Sequence, residues 1–131
     1  MAKFVLSAFA DEAGTTLDEQ IAALKRNGIS YIEPRNINGK PILTLTDDEL
    51  IEAKKAFDAN GIKVNSLGSP IGKYPISEPF EIHLKDFHRA LEVCRLLGTD
   101  KMRMFSFFVH QNELEKYREE VIYRMTEMVK I

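Results

Sequence analysis

Two charged side chains that could bind a small anionic ligand flank Pro34, at the end of the apolar run at residues 29–32. Glu33 and Arg35 are two positions apart, so they lie on the same side of an extended backbone and could pair. Arg35 could hold a phosphate or a hydroxyl group, and Glu33 could accept a hydrogen bond from a ligand hydroxyl. The alternative is a half-buried salt bridge that only locks the local structure.

A second candidate segment is residues 68–73, with the sequence GSPIGK, which directly follows another apolar run. Ser69 and Lys73 are its candidate binding residues, because the neighbouring glycines allow the backbone to approach a ligand closely. Lys73 could neutralise an anionic group, although the spacing is not that of a Walker phosphate loop. A solvated loop lysine is the alternative interpretation.

Arg103 and His110 complete the set of candidate binding residues. Arg103 lies inside an apolar run, where an arginine needs a partner or an opening to water. His110 follows that run and could act as an acid, a base or a ligand, or could be an ordinary exposed histidine. Asp11 and Glu12 could place two carboxylates beside these groups, or could simply form a polar loop. No catalytic or metal-binding residue is assigned.

Apolar runs alternate with helical patterns along the chain and position these side chains. The runs, each expected to form a strand, cover residues 4–9, 29–32, 62–67 and 102–108. Two capping-box spacings, Thr16 with Glu19 and Thr46 with Glu49, predict the starts of the first two helices. A third helix is expected from Phe80 to the Leu97-Gly98 stop, and Asn112 is expected to cap a fourth.

Four strands alternating with four helices predict parallel strands joined by right-handed crossovers, within one domain spanning residues 1–131. The expected fold class is α/β, with four consecutive βα units forming half of a (β/α)8 TIM barrel. A complete barrel takes about 250 residues, roughly twice this length. An open doubly wound sheet also satisfies the pattern. In both architectures the candidate residues lie at the carboxyl ends of the strands.

Four segments, taken together, resemble the N-terminal half of the sugar phosphate isomerase/epimerase family, the xylose isomerase-like TIM barrels. They are residues 7–12 (SAFADE), 31–35 (YIEPR), 68–73 (GSPIGK) and 103–107 (RMFSF). The resemblance implies metal-dependent aldose-ketose isomerisation or epimerisation, with manganese or magnesium as the metal. In that family the metal ligands and the catalytic glutamates come from the second half of the barrel. This chain alone is therefore expected to lack the metal site and to contribute a wall that binds a sugar or sugar phosphate.

Two functions remain open on these grounds. The chain could be part of an isomerase or epimerase, inactive as an isolated half-barrel, or a non-catalytic truncated relative that self-associates. Unpaired strand edges favour a homodimer in either case, with residues 102–108 near the junction. A flavodoxin-like domain is disfavoured, because no glycine-rich phosphate loop follows the first apolar run.

Composition and charge limit the partners and the cellular location that we expect for the protein. The formal net charge is −2 and the basic residues are dispersed, which argues against nucleic acid as the partner. The N-terminus has neither a signal-peptide pattern nor a spanning segment, which argues against a membrane partner. Cys94 is the single cysteine and is expected to be buried. A cytoplasmic location is the expectation from these features.

Overall fold

The computed structural model describes residues 4–131, and four α-helices account for much of this length. They are α1 (Leu17–Arg26), α2 (Asp47–Ala59), α3 (Phe80–Leu97) and α4 (Leu114–Val129). Both predicted capping boxes are confirmed: Thr16 and Thr46 each accept a hydrogen bond from the backbone N–H of the glutamate three residues later. The predicted stop of the third helix is also confirmed, because Gly98 adopts the left-handed conformation that ends α3.

The fourth helix differs from expectation at its start. Asn112 lies inside a single 3-10 turn, Gln111–Glu113, and Glu113 occupies the N-cap position without a side-chain cap. Leu114, the first residue of α4, is exposed. The buried residues of α4 are Arg124 and Met128, and Tyr117 and Val121 pack at the margin of the core.

The strands are short, and only three of them form a parallel sheet. In the described residues they are β1 (Ser7–Ala8), β2 (Tyr31–Ile32), β3 (Asn36–Ile37), β4 (Lys40–Pro41) and β5 (Lys63–Val64). The parallel sheet has the order β1-β2-β5, and β3 pairs with β4 in an antiparallel hairpin. In the parallel sheet Ser7 lies opposite Tyr31, and Tyr31 lies opposite Lys63.

The prediction of four consecutive βα units, and with it of half a TIM barrel, is wrong. Residues 102–108 form no strand and make only two isolated parallel bridges, Leu67 with Met102 and Pro75 with Phe108. The facing segment cannot supply a continuous ladder, because Pro70 and Pro75 lack an N–H donor. Gly72 and Phe107 also adopt positive φ angles, of 83° and 71°, which interrupt the extended backbone on both sides.

The core lies between the parallel sheet and the helices. Ile32 of β2 is fully buried, and Leu50 and Phe57 of α2 and Leu97 of α3 are fully buried with it. Burial of such side chains contributes about 1.5–3 kcal/mol each and fixes the positions of the loops that follow the strands. None of the helices in residues 4–131 is long and apolar enough to cross a membrane.

Candidate functional site

A cleft of about 380 Å³ lies where the segments following β1, β2 and β5 meet the segment at 102–108. Three of the residues lining it are cationic. The full lining consists of Asp11, Arg35, Asn36, Pro41, Ile42, Gly68, Pro70, Lys73 and Arg103. The carboxyl ends of parallel strands meet at one edge of a sheet, so this location agrees with the sequence-based expectation. The structure brings together three of the predicted binding residues, Arg35, Lys73 and Arg103.

Arg35 forms an ion pair with the acidic residues that follow β1. Its Nη2 donates to Asp11 Oδ1 at 2.9 Å and to Glu12 Oε1 at 2.8 Å, while Nε donates to Asp11. The hydrogen bond from Arg35 to Asp11 raises the pKa of the guanidinium further above its ordinary value. The structure records no pairing of Arg35 with Glu33. The expected partner is replaced by two residues from the neighbouring strand end, which sequence spacing could not reveal.

Glu33 and Ser69 are held by other parts of the chain. The carboxylate of Glu33 accepts a hydrogen bond from Asn65 Nδ2 at 3.2 Å, and Glu33 does not line the cleft. Ser69 is fully buried, donating from Oγ to the carbonyl of Arg103 at 2.5 Å and accepting from the N–H of Ile71. Ser69 therefore joins the 68–73 loop to the 102–108 segment and fixes the backbone position of Arg103.

Arg103 is half-buried and leaves part of its hydrogen-bonding capacity unused. Its Nη2 donates to the carbonyls of Gly68 and Ser69, both at 3.2 Å. Its Nε is buried and has no hydrogen-bond partner. Because Nε is out of reach, an acceptor that enters the cleft meets the accessible part of this guanidinium, where a charge-assisted hydrogen bond would be stabilising.

Two aromatic rings alternate with the three cations of the cleft. The Arg35 guanidinium carbon lies 4.5 Å from the centre of the Phe9 ring, and that of Arg103 lies 5.3 Å from it. Arg103 and Lys73 lie 4.9 and 5.0 Å from the centre of the Phe105 ring. Each contact is within the range in which ring and cation attract. Phe9 and Phe105 thus hold the cations in place without neutralising them.

The charges of the cleft are unevenly balanced. Arg35 is paired with Asp11 and Glu12, whereas no carboxylate in the described part of the chain pairs with Lys73 or Arg103. Asn36 Nδ2 donates to Asp11 Oδ2 at 2.8 Å, which further occupies that carboxylate. One side of the cleft is therefore a neutralised hydrogen-bonding wall, and the other carries two uncompensated cations suited to an anion.

His110 lies at a different place. It lines a separate cleft of about 290 Å³ with Pro75, Phe108, Glu113 and Tyr117. The two clefts share no lining residue. His110 is exposed, and the structure does not bring it together with the other predicted binding residues.

Sequence reasoning missed three contributors to the site: Phe9, Asn36 and Phe105. The two phenylalanines belong to predicted strands and to segments that carry the family resemblance, and neither was assigned a role in binding. A usable signal was present, because each aromatic lies two residues from a charged side chain: Phe9 precedes Asp11, and Phe105 follows Arg103. Asn36 lies in β3, opposite Pro41 of the β3–β4 hairpin.

Comparison with known proteins adds no identification, because neither the models of protein families nor the curated proteins include a match to this chain. A divalent metal requires several side-chain ligands that lie close together. Within residues 4–131, no three His, Cys, Asp or Glu side chains are grouped so that they could hold a metal ion. The manganese or magnesium implied by the family resemblance therefore has no fitting ligand set in this part of the chain.

Proposed function

We propose that the protein binds a small phosphorylated polyol, such as a sugar phosphate, in the cleft between Arg35, Lys73 and Arg103. One observation carries this proposal: Lys73 and Arg103 line the cleft as cations without carboxylate partners in the described part of the chain. A phosphate offers several strong acceptors to such donors. The wall formed by Asp11, Arg35 and Asn36 is polar enough to face hydroxyl groups.

The family resemblance extends this proposal towards isomerase or epimerase chemistry. In that reading the chain supplies the substrate-binding wall, and no step of the metal-assisted reaction is assigned to its residues, since they do not fit a metal. The alternative function is a non-catalytic relative that binds the same ligand. Product formation from a sugar phosphate, followed by NMR with and without added manganese, separates the two. Absence of turnover alongside ligand binding supports the non-catalytic alternative.

A calorimetric titration with fructose 6-phosphate tests the binding proposal directly, with fructose as the matched ligand without phosphate. Replacing Lys73 or Arg103 by methionine should weaken binding about tenfold or more, because each change removes a charge-assisted hydrogen bond. Lys55→Met is the control, since Lys55 is an exposed lysine of α2 outside the cleft. Equal binding of fructose and its phosphate, or no effect of K73M, would contradict the proposal.

We also propose that the chain forms a homodimer through the open edge of β1 and the segment at 102–108. Phe4, Val5 and Leu6 precede β1 and are exposed, and among the described residues no strand pairs with the outer edge of β1. Phe108 is also exposed. Light scattering after size exclusion should give twice the mass of the chain. The Leu6→Lys variant should give the mass of a single chain. Ile51→Lys, at a single exposed apolar residue of α2, is the control, and a wild-type monomer at micromolar concentration overturns the proposal.

We also propose a cytoplasmic location. It is supported by Cys94, which is a free, buried thiol on α3 and has no disulfide partner in the sequence. Fractionation of cells that express the full chain would test it, and recovery from an oxidising compartment would contradict it.

A further inference from the structure

His83 is a fully buried titratable side chain outside the anion-binding cleft. It lies on α3, and both ring nitrogens face charged residues of other segments. Nδ1 is 3.3 Å from Nη1 of Arg124 on α4, and Nε2 is 3.3 Å from Oε2 of Glu78, in the turn before α3. The imidazole therefore bridges α3, α4 and the turn at residues 75–79.

The position of Arg124 defines which nitrogen carries the proton. A guanidinium is always charged and only donates, so Nδ1 of His83 must accept from it. The imidazole is then neutral, with its hydrogen on Nε2, where it donates to Glu78. Arg124 is itself buried, donating from Nε to Glu120 at 2.6 Å and from Nη1 to the backbone carbonyl of Glu78 at 2.9 Å.

The surroundings of His83 contain charges of both signs. Glu78 favours a positive ring, but its side chain is 43% exposed and is screened by water. Arg124 opposes a positive ring and is only 8% exposed, with Glu120 partly compensating its charge from the same helix.

Two aromatic rings also pack against His83. Tyr74 stacks on the imidazole at 4.3 Å and donates from its hydroxyl to Asp86 of α3. The Phe107 ring lies 5.4 Å away.

Protonation at Nδ1 would remove one of the three acceptors of Arg124 and place two cations about 3.3 Å apart in a buried site. Arg124 and Met128 are the buried residues of α4, so the attachment of this helix depends strongly on the Arg124 contacts. We infer that His83 is a pH-sensitive latch: the neutral imidazole holds α4 against α3 and the 75–79 turn, and its protonation releases α4. The inference does not depend on the ligand of the cleft.

Hydrogen exchange at two pH values tests the latch. Between about pH 8 and about pH 5.5, after correction for intrinsic rates, protection in α4 should fall about tenfold more than protection in α2. His83→Gln should abolish this difference, because glutamine can accept from Arg124 and donate to Glu78 without titrating. His88→Gln, at an exposed histidine of the same helix, should leave it unchanged. Glu78→Gln should enlarge it, because the imidazolium loses its nearby carboxylate.

A measurement on the unmodified chain covers the case in which His83→Gln fails to fold. Nitrogen chemical shifts of the three histidines, assigned with H88Q and H110Q, should identify His83 as the Nε2–H tautomer at about pH 8. Detection of the Nδ1–H tautomer overturns the inference. The inference is also overturned if protection in α4 changes in parallel with protection in α2. This holds whether the His83 signal shows protonation or a ring that stays neutral down to about pH 5.5.

Discussion

Arg35 donates to both carboxylate oxygens of Asp11, with Nε 3.1 and 3.2 Å from the two oxygens and Nη2 2.9 Å from one. This contact joins the segment after β1 to the end of β2, at one wall of the cleft. Asp11 is nearly buried, with its side chain 10% exposed, whereas Glu12, the second partner of Arg35, is 70% exposed. The two carboxylates therefore differ in what they contribute to stability.

Replacing Asp11 by asparagine should lower the free energy of unfolding by about 1–3 kcal/mol, because a half-buried guanidinium loses its principal acceptor. Glu12→Gln, at the exposed partner of the same arginine, should cost less than about 1 kcal/mol. Urea unfolding followed by circular dichroism measures both. Equal effects of the two variants would contradict a dominant role for Asp11.

Asp11→Asn also has an expected effect on ligand binding. With only Glu12 left, Arg35 becomes a third incompletely compensated cation in the cleft, beside Lys73 and Arg103. Affinity for a sugar phosphate should then rise, and it should become more sensitive to salt. Calorimetry at two salt concentrations measures this change. Unchanged affinity would mean that the ion pair between Arg35 and Asp11 does not influence anion binding in the cleft.

The partner of Arg35 illustrates which features of the site the sequence could predict. The residue type, its place at a strand end and its proximity to other polar loops follow from apolar runs and capping boxes, which are local signals. The choice of Asp11 over Glu33 depends on how β1 and β2 lie in register, a long-range relationship that spacing along one strand does not contain.

The missing fourth strand has a similar cause. The apolar run at 102–108 satisfies the local pattern of a buried strand, but a strand also needs a partner with free backbone donors. That partner segment contains Pro70, Gly72 and Pro75. The helices were predicted more accurately, because capping boxes and the 3.6-residue period act within one segment.

Gly72 provides a sharp test of the contact between these two segments. Its φ is 83°, and a Cβ added there would overlap the carbonyl oxygen of Phe105. Gly72→Ala should therefore destabilise the protein by more than about 2 kcal/mol, because strain and a steric clash add. Gly28→Ala is the matched control: its φ is 64°, but a Cβ there meets nothing within 4 Å. It should cost only about 1 kcal/mol. Equal losses in thermal unfolding would mean that the 72–105 contact is not tight.

The capping carboxylate of α1 should make this helix sensitive to acid. Hydrogen bonds from the Thr16 backbone lower the pKa of Glu19 below its ordinary value of 4.5. For a carboxyl group with a lowered pKa in the folded state, the stabilisation is present above the unfolded value and is lost as the pH falls through the folded value.

Glu19→Gln should therefore reduce the loss of stability between about pH 6 and about pH 3 relative to the wild type. Glu52→Gln, at an exposed carboxylate of α2 with no hydrogen-bond partner in the described residues, should change that loss less. The midpoints of urea unfolding at the two pH values measure this loss of stability. An acid response of E19Q that is identical to that of the wild type would contradict the capping contribution.

The thiol of Cys94 should be unreactive in the native protein. Burial raises its pKa to about 11, and its Sγ lies 3.9 Å from the carbonyl of Lys101, to which it can donate. Because the thiolate is the nucleophile, alkylation by iodoacetamide near pH 8 should be slow and should accelerate sharply in denaturing urea. Mass spectrometry of timed samples measures the rate.

A Cys94→Ala chain that carries Lys55→Cys on the exposed face of α2 is the positive control for this reaction. Its thiol should be alkylated at nearly the same rate with and without urea, because the native fold does not cover it. If the native wild-type chain reacts as fast as this control, Cys94 is accessible on the reaction timescale. That result would mean that α3 separates readily from the segment at 99–102, in which the Lys101 carbonyl contacts the thiol.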